Sequence, residues 1–587
     1  MISKNLRTAA ACAMLLGVLT ASAFAQSDRS TVRSSQILPR DTYLHLGISS
    51  VAELRERGGQ AAFGRMIYSE EMAEFRDSVS TAIQNAVQQG VSEVESQLGV
   101  GIDELMQIPS GEVSFSFAKA PPNRMAAVLY LDFGDSEDTV NKLLEQATSA
   151  LRSNPDLEDA SEEYDGTELV LFSNLSESAN ATPLAKEFGW FIRDNRMVAS
   201  NSSAMLKLMI DNWDGSAEKN FASHPVYSHI LSKCETEPGS ALATTFFDPI
   251  GLFTQLVQTG SLGQAGLQAG MAMSVLPLLG LNQLKGMGSV MEMGSGEFDT
   301  VSRAMIYTDQ PPMFLMQAFQ MNTVERMPPS WVKENVTAWL SMNWKLEEAW
   351  KTAESMVDMF QGPGALARII DELSEQEPGI HIRKDIIDQM DGSFQFVTAG
   401  GGGSASTGTE DILITIGLRD SQQFAELLAR LTSQPGFPGE QKQLEGAVVY
   451  QLALGAGQPG ISFTAANNML MLAIGGNQLE TALRNTPDVR PLAKTEGFEA
   501  VMVHIPEDAV AVSFARPAEQ YRSVYEMLRN NEAAENFPGM DELLTIVDFT
   551  LLPPFEQIEK YLAPAGGFWV GDENGILMQS FTLPPQE

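Results

Sequence analysis

Apolar and polar residues alternate through "GEVSFSFA" (111–118), and the same alternation returns far downstream in "GSFQFVTA" (392–399), each time directly after a glycine. A two-residue period is that of a strand with one buried face, so both stretches predict half-buried β-strands. The pattern then lengthens in both places. "MAAVLYLDFGDSEDTVNKLLEQ" (125–146) and "DILITIGLRDSQQFAELLARL" (411–431) each read as a strand running into a helix. Val140, Leu143 and Leu144 in the first helix match Phe424, Leu427 and Leu428 in the second, and the i, i+3, i+4 spacing gives each one apolar stripe.

The parallel continues. "YDGTELVLF" (164–172) lies against "LEGAVVYQL" (444–452), with Gly166 and Gly446 at turns. "GWFIRDNRMVAS" (189–200) lies against "GISFTAANNMLMLAI" (460–474), where a strand turns at Asn195 or at Asn467-Asn468 and returns; asparagine suits such hairpins because it tolerates positive φ. "GSALATTFFDP" (239–249) meets "DAVAVSFARP" (508–517), again a strand before a helix, and "LPRDTYLHLGI" (38–48) and "VKENVTAWLSM" (332–342) open the two series. Short hairpins with collected helices imply an α+β class: two tandem copies of a related unit, mainly antiparallel sheets with helices packed on one face.

Length agrees with more than one domain, because 587 residues exceed what a single core usually supports. The expected organisation is a signal peptide over 1–25, a first α+β unit over 26–325 ending in a Met- and Gly-rich segment, and a second unit over 326–587. Lys4 and Arg7 precede an apolar run at 9–20, and Ala23-Phe24-Ala25 offers small residues for cleavage, which predicts a mature chain starting near Gln26. Cys12 lies inside the apolar run, so lipidation is excluded, and Cys234 is then the sole mature cysteine, a thiol with no assignable partner. The run is too short and interrupted to persist as an anchor, so no transmembrane segment is expected after signal removal. "GSLGQAGLQAGMAMSVLPLLGLNQL" (260–284) lacks charge; packing in a core or domain interface is the leading expectation, with contact to an apolar ligand or membrane as the alternative.

A formal net charge of −37 excludes nucleic acid as a partner, since every approach to phosphate meets repulsion. The acids are dispersed, and the cluster "DLEDASEEYDG" (156–166) reads as a solvated loop without the spacing of a calcium loop. Chemistry-bearing patterns are sparse. His45, His224, His229, His381 and His504 are scattered, and His224 and His229 are five apart, so they do not share a helix face as zinc ligands would; His45 falls in a predicted strand and reads as structural. "GAGQPG" (455–460) has the dinucleotide glycine spacing but leads into a strand rather than a helix, and "GGGGSASTG" (400–408) reads as an exposed hairpin loop. "SAEK" (216–219) has the serine acyl-enzyme spacing without its partner motifs. Sequons at Asn174, Asn180, Asn201 and Asn335 matter only in a glycosylating pathway.

The segments "LPRDTYLHLGISSVAELRERGGQAAFGRMIYSEEMAEF" (38–75), "MPPSWVKENVTAWLSMNWKLEEAW" (327–350) and "YLAPAGGFWVGDENGILMQSFTLP" (561–584) together resemble a family of large exported bacterial proteins, abundant in planctomycetes, that carry a domain of unknown function. The resemblance implies export and a bacterial cell envelope, and it carries over no catalytic, cofactor-binding or metal-binding residue.

The expected function is therefore that of an exported envelope protein, periplasmic or extracellular, acting as a non-catalytic binding or structural module with an envelope protein or lipid as possible partner. The alternative is a carrier of an apolar ligand such as lipid. A third reading, a hydrolase, rests only on acid pairs such as Glu162 and Asp165. No cofactor is expected.

Overall fold

The computed structural model describes residues 32–82, 108–175, 186–260, 262, 265–294, 296–400, 411–453, 460–532, 544 and 547–585. The expected signal peptide, most of "GGGGSASTG" and most of "GAGQPG" lie outside them. The chain forms two compact units: one runs through Pro277 and takes in Leu284–Asp309, and the other holds Leu278–Gln283 and the chain from Gln310 onward. The expected boundary at 325/326 falls within the second. Both units are α+β with antiparallel strands.

In the first unit the strands are β1 (Thr42–Ile48), β2 (Val113–Ala120), β3 (Arg124–Asp132), β4 (Leu157–Asp159), β5 (Glu162–Tyr164), β6 (Thr167–Asn174), β7 (Glu187–Arg193), β8 (Arg196–Ser200), β9 (Ala243–Phe247), β10 (Leu284–Met293) and β11 (Thr300–Thr308). Every pairing is antiparallel, in the order β5-β6-β7-β8-β3-β2-β1-β9-β10-β11, with β4 sharing the β5 edge of β6. β1 is thus an interior strand, its backbone groups satisfied on both sides and its inward side chains committed to the core. Among the described residues its helices of more than one turn are α1 (Val51–Gln60), α2 (Ala62–Ile67), α3 (Glu137–Arg152), α4 (Ser203–Asp211), α5 (Pro225–Cys234), α6 (Pro249–Gln258) and α7 (Gly266–Val275). Local signals start several of them: Ser50, Ser202 and Asp248 accept N-terminal amides of α1, α4 and α6, and proline opens α5 and α6.

The second unit contains β12 (Met321–Asn322), β13 (Val336–Trp344), β14 (Met390–Ala399), β15 (Asp411–Leu418), β16 (Glu440–Leu444), β17 (Ala447–Leu452), β18 (Ile461–Ala466), β19 (Met469–Ile474), β20 (Ala511–Ala515), β21 (Ala565–Asp572) and β22 (Gly575–Thr582). Their order is β16-β17-β18-β19-β15-β14-β13-β20-β21-β22, all antiparallel, with β12 on the end of β13. Helices α8 (Leu346–Gln361), α9 (Ala365–Ser374), α10 (Ser421–Thr432), α11 (Gln478–Arg484), α12 (Glu496–Met502) and α13 (Pro517–Arg529) accompany them.

The helical stripes pack as their spacing requires. Val140 of α3 joins Ile108 and Phe133 in one cluster with Leu143 and Leu144 against it, and Phe424, Leu427 and Leu428 of α10 pack with Leu418, Tyr450 and Ala465. Hairpins turn where asparagine and glycine permit positive φ: Asp194 and Asn195 at 51° and 62°, Asn467 and Asn468 at 53° and 56°, Asp165-Gly166 at 47° and 69°, and Glu445-Gly446 at 50° and 83°. Two consecutive positive-φ residues are the mark of a type I′ turn, whose twist suits antiparallel strands.

Two expectations fail. The acidic stretch 156–166 is not one loop: Leu157–Asp159 and Glu162–Tyr164 pair with β6. Its acids still reach water, because an edge strand leaves alternate side chains solvated, and Arg152 and Lys207 pair with Asp159 and Glu162 at 2.6 and 2.8 Å. The middle of the Met- and Gly-rich segment does not enter a core, although Gln283 near its end is buried. α7 buries none of its residues, with Leu267 78% and Met271 61% exposed. Its apolar residues are spread around the helix without a single stripe, so no face commits it to a sheet.

Candidate functional site

In the first unit, a cavity of about 210 Å³ opens beside the middle of β1. His45 lines it. The pairing of β1 sets His45 opposite Ser116 on β2 and Phe246 on β9. The ring is 2% exposed, its Nδ1 lies 3.0 Å from Ser116 Oγ, and it meets the rings of Phe221 and Tyr227 at centroid distances of 5.3 and 6.1 Å. Burial pushes its pKa down to about 4, because the low-dielectric surroundings disfavour the imidazolium. His45 is therefore neutral near pH 7, and Nε2 has no hydrogen-bond partner among the described residues.

Two residues along the strand and on the same face stands Gly47, which also lines the cavity. A methyl group there would sit 2.9 Å from His45 Nε2 and 3.1 Å from Thr244 Oγ1. The missing side chain is what leaves space in front of the imidazole. Thr244, on β9 opposite Gly47, hydrogen-bonds the Tyr227 hydroxyl; burial nevertheless pushes that hydroxyl far up, and the Thr244 bond offsets it only in part. Tyr227 reaches the cavity from the first turn of α5, whose start is fixed by the Nδ1 of His224 accepting from Tyr227 N at 3.4 Å.

Glu112 forms another wall. Its carboxylate accepts from the Ser34 backbone N–H at 3.1 Å and from the Ser34 hydroxyl, which ties a one-turn helix at Ser34–Ile37 to the start of β2. Burial pushes the Glu112 carboxyl up, opposed by the Ser34 hydrogen bonds and the Arg33 charge. Glu235, just after α5, is also pushed up by burial, with Gly239 N–H and Arg33 opposing and the Glu292 charge reinforcing the rise.

The loop that carries Glu235 is anchored from beneath. Glu292 on β10 is 1% exposed and accepts from Thr236 N at 2.8 Å, from Thr236 Oγ1 at 2.5 Å and from Ser240 Oγ at 2.6 Å, with Arg303 at 3.6 Å. Burial would raise its carboxyl, but these donors together hold it below the usual carboxylate range. A buried charge with several donors is stable in place and fixes what donates to it.

Most residues singled out in the sequence lie elsewhere. Glu162 pairs with Lys207, and Asp165 sits at a hairpin tip 3.8 Å from Arg193, so neither reaches the cavity. His229 stacks edge-on to Tyr307, His504 to Phe581, and His381 lies 3.3 Å from Asp371. Ser216 donates to Asp214 within its own turn. Cys234 is fully buried at the end of α5, and burial pushes its thiol up to about 12, which removes it as a nucleophile. Among the described residues no group of three or more His, Cys, Asp or Glu could hold a metal, and no helix is long and apolar enough to cross a membrane.

Of the five histidines only His45 lines the cavity. Its partners carry no motif. The one local sign was a histidine and a glycine two apart on the same face of an interior strand, where branched apolar residues are the norm. Comparison with protein-family models, with curated proteins and with solved structures finds no match.

Proposed function

We propose that the chain consists of two copies of one α+β unit and that the first copy is a binding module for a small polar ligand. The strand orders support the duplication: with β1, β2 and β3 read against β13, β14 and β15, and β5 through β11 against β16 through β22, every pairing in one unit has its equivalent in the other except β4 on β6 and β12 on β13. Matching turns at Asn195 and Asn468, and matching isolated bridges from Pro39 to Asn220 and from Lys333 to Pro491, fall in step.

One observation carries the binding reading. In this register His45, Gly47, Ser116, Thr244 and Tyr227 fall on Trp339, Ser341, Val397, Val512 and Phe498. Phe246 falls on Phe514, and Phe498 meets Phe514 and Trp339 as Tyr227 meets Phe246 and His45. Trp339, Val397, Val512 and Phe498 are all buried. The same framework thus accepts an apolar filling, and burying polar groups instead costs about 1–3 kcal/mol for each one left unsatisfied. A polar set retained around an open cavity is the arrangement expected of a site.

The cavity volume favours a compact ligand over lipid, since about 210 Å³ lies below the roughly 300–1,000 Å³ of pockets that hold larger ligands. Placement in a bacterial envelope is supported by the basic-apolar-small pattern of residues 1–25 and by the acidity of the chain. Native mass spectrometry of the mature protein recovered from its own envelope tests the function. A stoichiometric small adduct that is lost on denaturation and absent from Gly47→Ala is expected; a bare chain would overturn the reading.

A further inference from the structure

The binding reading leaves the ligand's charge open, and the groups around the cavity decide it. Two carboxylates, Glu112 and Glu235, line the space, against a single side chain of permanent positive charge, Arg33. Arg33 is exposed at the rim, and its guanidinium makes no hydrogen bond or ion pair among the described residues, so it shares its charge between the two acids without closing a salt bridge to either. With both acids ionised, the site carries one surplus negative charge.

A second, independent observation points to a ligand. His45 is 98% buried by its 2% exposure, and its Nε2 faces the gap left by Gly47 with nothing to bond. With the proton on Nδ1, donated to Ser116 Oγ, Nε2 presents a lone pair. Glu112 Oε2 is engaged only by a 3.2 Å contact from Ser34 N and keeps acceptor capacity. In that tautomer three acceptors border one small space, and the one cationic donor beside them, the Arg33 guanidinium, bonds none of them.

Resting on the binding reading above, we infer that the ligand is a compact organic cation, a protonated amine whose N–H groups are received by Glu112, Glu235 and His45 Nε2. An ammonium has three donors and no acceptor, which is the complement of these three acceptors. The volume equals that of about seven liquid waters at roughly 30 Å³ each, which suits a small ligand.

Isothermal titration of the full mature chain at pH 7.5 and low salt tests this with three probes of one shape: ethanolamine hydrochloride, ethylene glycol and sodium glycolate. Ethanolamine alone is expected to bind, and Glu112→Gln and Glu235→Gln, each checked for folding by circular dichroism, are expected to weaken it at least tenfold. Glycolate or ethylene glycol binding as well or better, with binding abolished in Gly47→Ala, would overturn the cation while leaving the binding reading intact. Ethanolamine binding that neither glutamine variant weakens would also overturn it, by placing the amine elsewhere. If no probe binds, the envelope-derived adduct decides: an amine by mass supports the inference, an acid or neutral compound overturns it, and a bare chain removes both readings.

Discussion

His45 Nδ1 rests 3.0 Å from Ser116 Oγ, across two neighbouring strands and out of reach of bulk water. One nitrogen of the ring is held by the framework and the other is turned toward the cavity. The bond fixes ring orientation, and burial fixes charge. Its consequence for stability has a definite sign.

In the unfolded chain His45 takes a proton near pH 6.5, whereas in the folded protein it does so only near about 4. Its contribution is therefore fully present above pH 6.5 and is lost as pH falls through that window, by about 1.4 kcal/mol per unit. Glu112 and Glu235, both pushed up, have the opposite sign, gaining stability as pH falls. The comparison of wild type with His45→Phe isolates the histidine: urea unfolding at pH 7 and pH 4.5 should show wild type losing more than the variant. Equal losses would contradict a buried neutral imidazole.

Gly47→Ala adds one methyl group 2.9 Å from His45 Nε2, closer than carbon packs against a ring. Overpacking of this kind costs about 1–3 kcal/mol. We expect a lower midpoint in urea with the strand content preserved by circular dichroism. An unchanged midpoint would mean that the space before the imidazole is larger than these contacts describe.

Glu292→Ala removes the acceptor of Thr236 and Ser240 and the carboxylate that faces Arg303. Breaking a buried charge pair by deleting one side costs on the order of 3 kcal/mol. Hydrogen exchange should rise first at the amide of Thr236, which donates to this carboxylate, before global unfolding. A loss spread evenly over the unit would argue against a local anchor.

Cys234 should resist iodoacetamide at pH 8 in the native protein and react fully in denaturant, as a buried thiol pushed up to about 12 requires. Labelling at the rate of a free thiol would show that the end of α5 opens readily.

The fold was legible where a short stretch decides its own conformation. Gly166, Asn195 and Asn467-Asn468 turn where φ must be positive, and Val140 and Phe424 lead stripes that bury as their spacing demands. The site was illegible because its contacts join residues far apart in the chain. Ser34 meets Glu112 and Ser240 meets Glu292 across 78 and 52 positions, and no spacing rule links them. Segment 266–275 shows the converse limit: composition reports that residues are apolar, but burial needs a neighbour on each side, and α7, which touches α6, buries none of its residues. His45 was placed correctly in a strand and read as structural, which its Ser116 bond supports; the gap created by Gly47 emerges only once side chains are set across the sheet.

The wall made by Ser34 and Arg33 has a temporal side. A chain made from its amino end produces this segment first, yet Ser34 has nothing to hold until Glu112 exists, and the loop at 235–240 has no anchor until Glu292 follows. Each contact of this kind must close a loop before it returns any gain. The earliest part of the site to be synthesised therefore waits for the rest, and the loop at 235–240 gains its anchor only once Glu292 of β10 has been made.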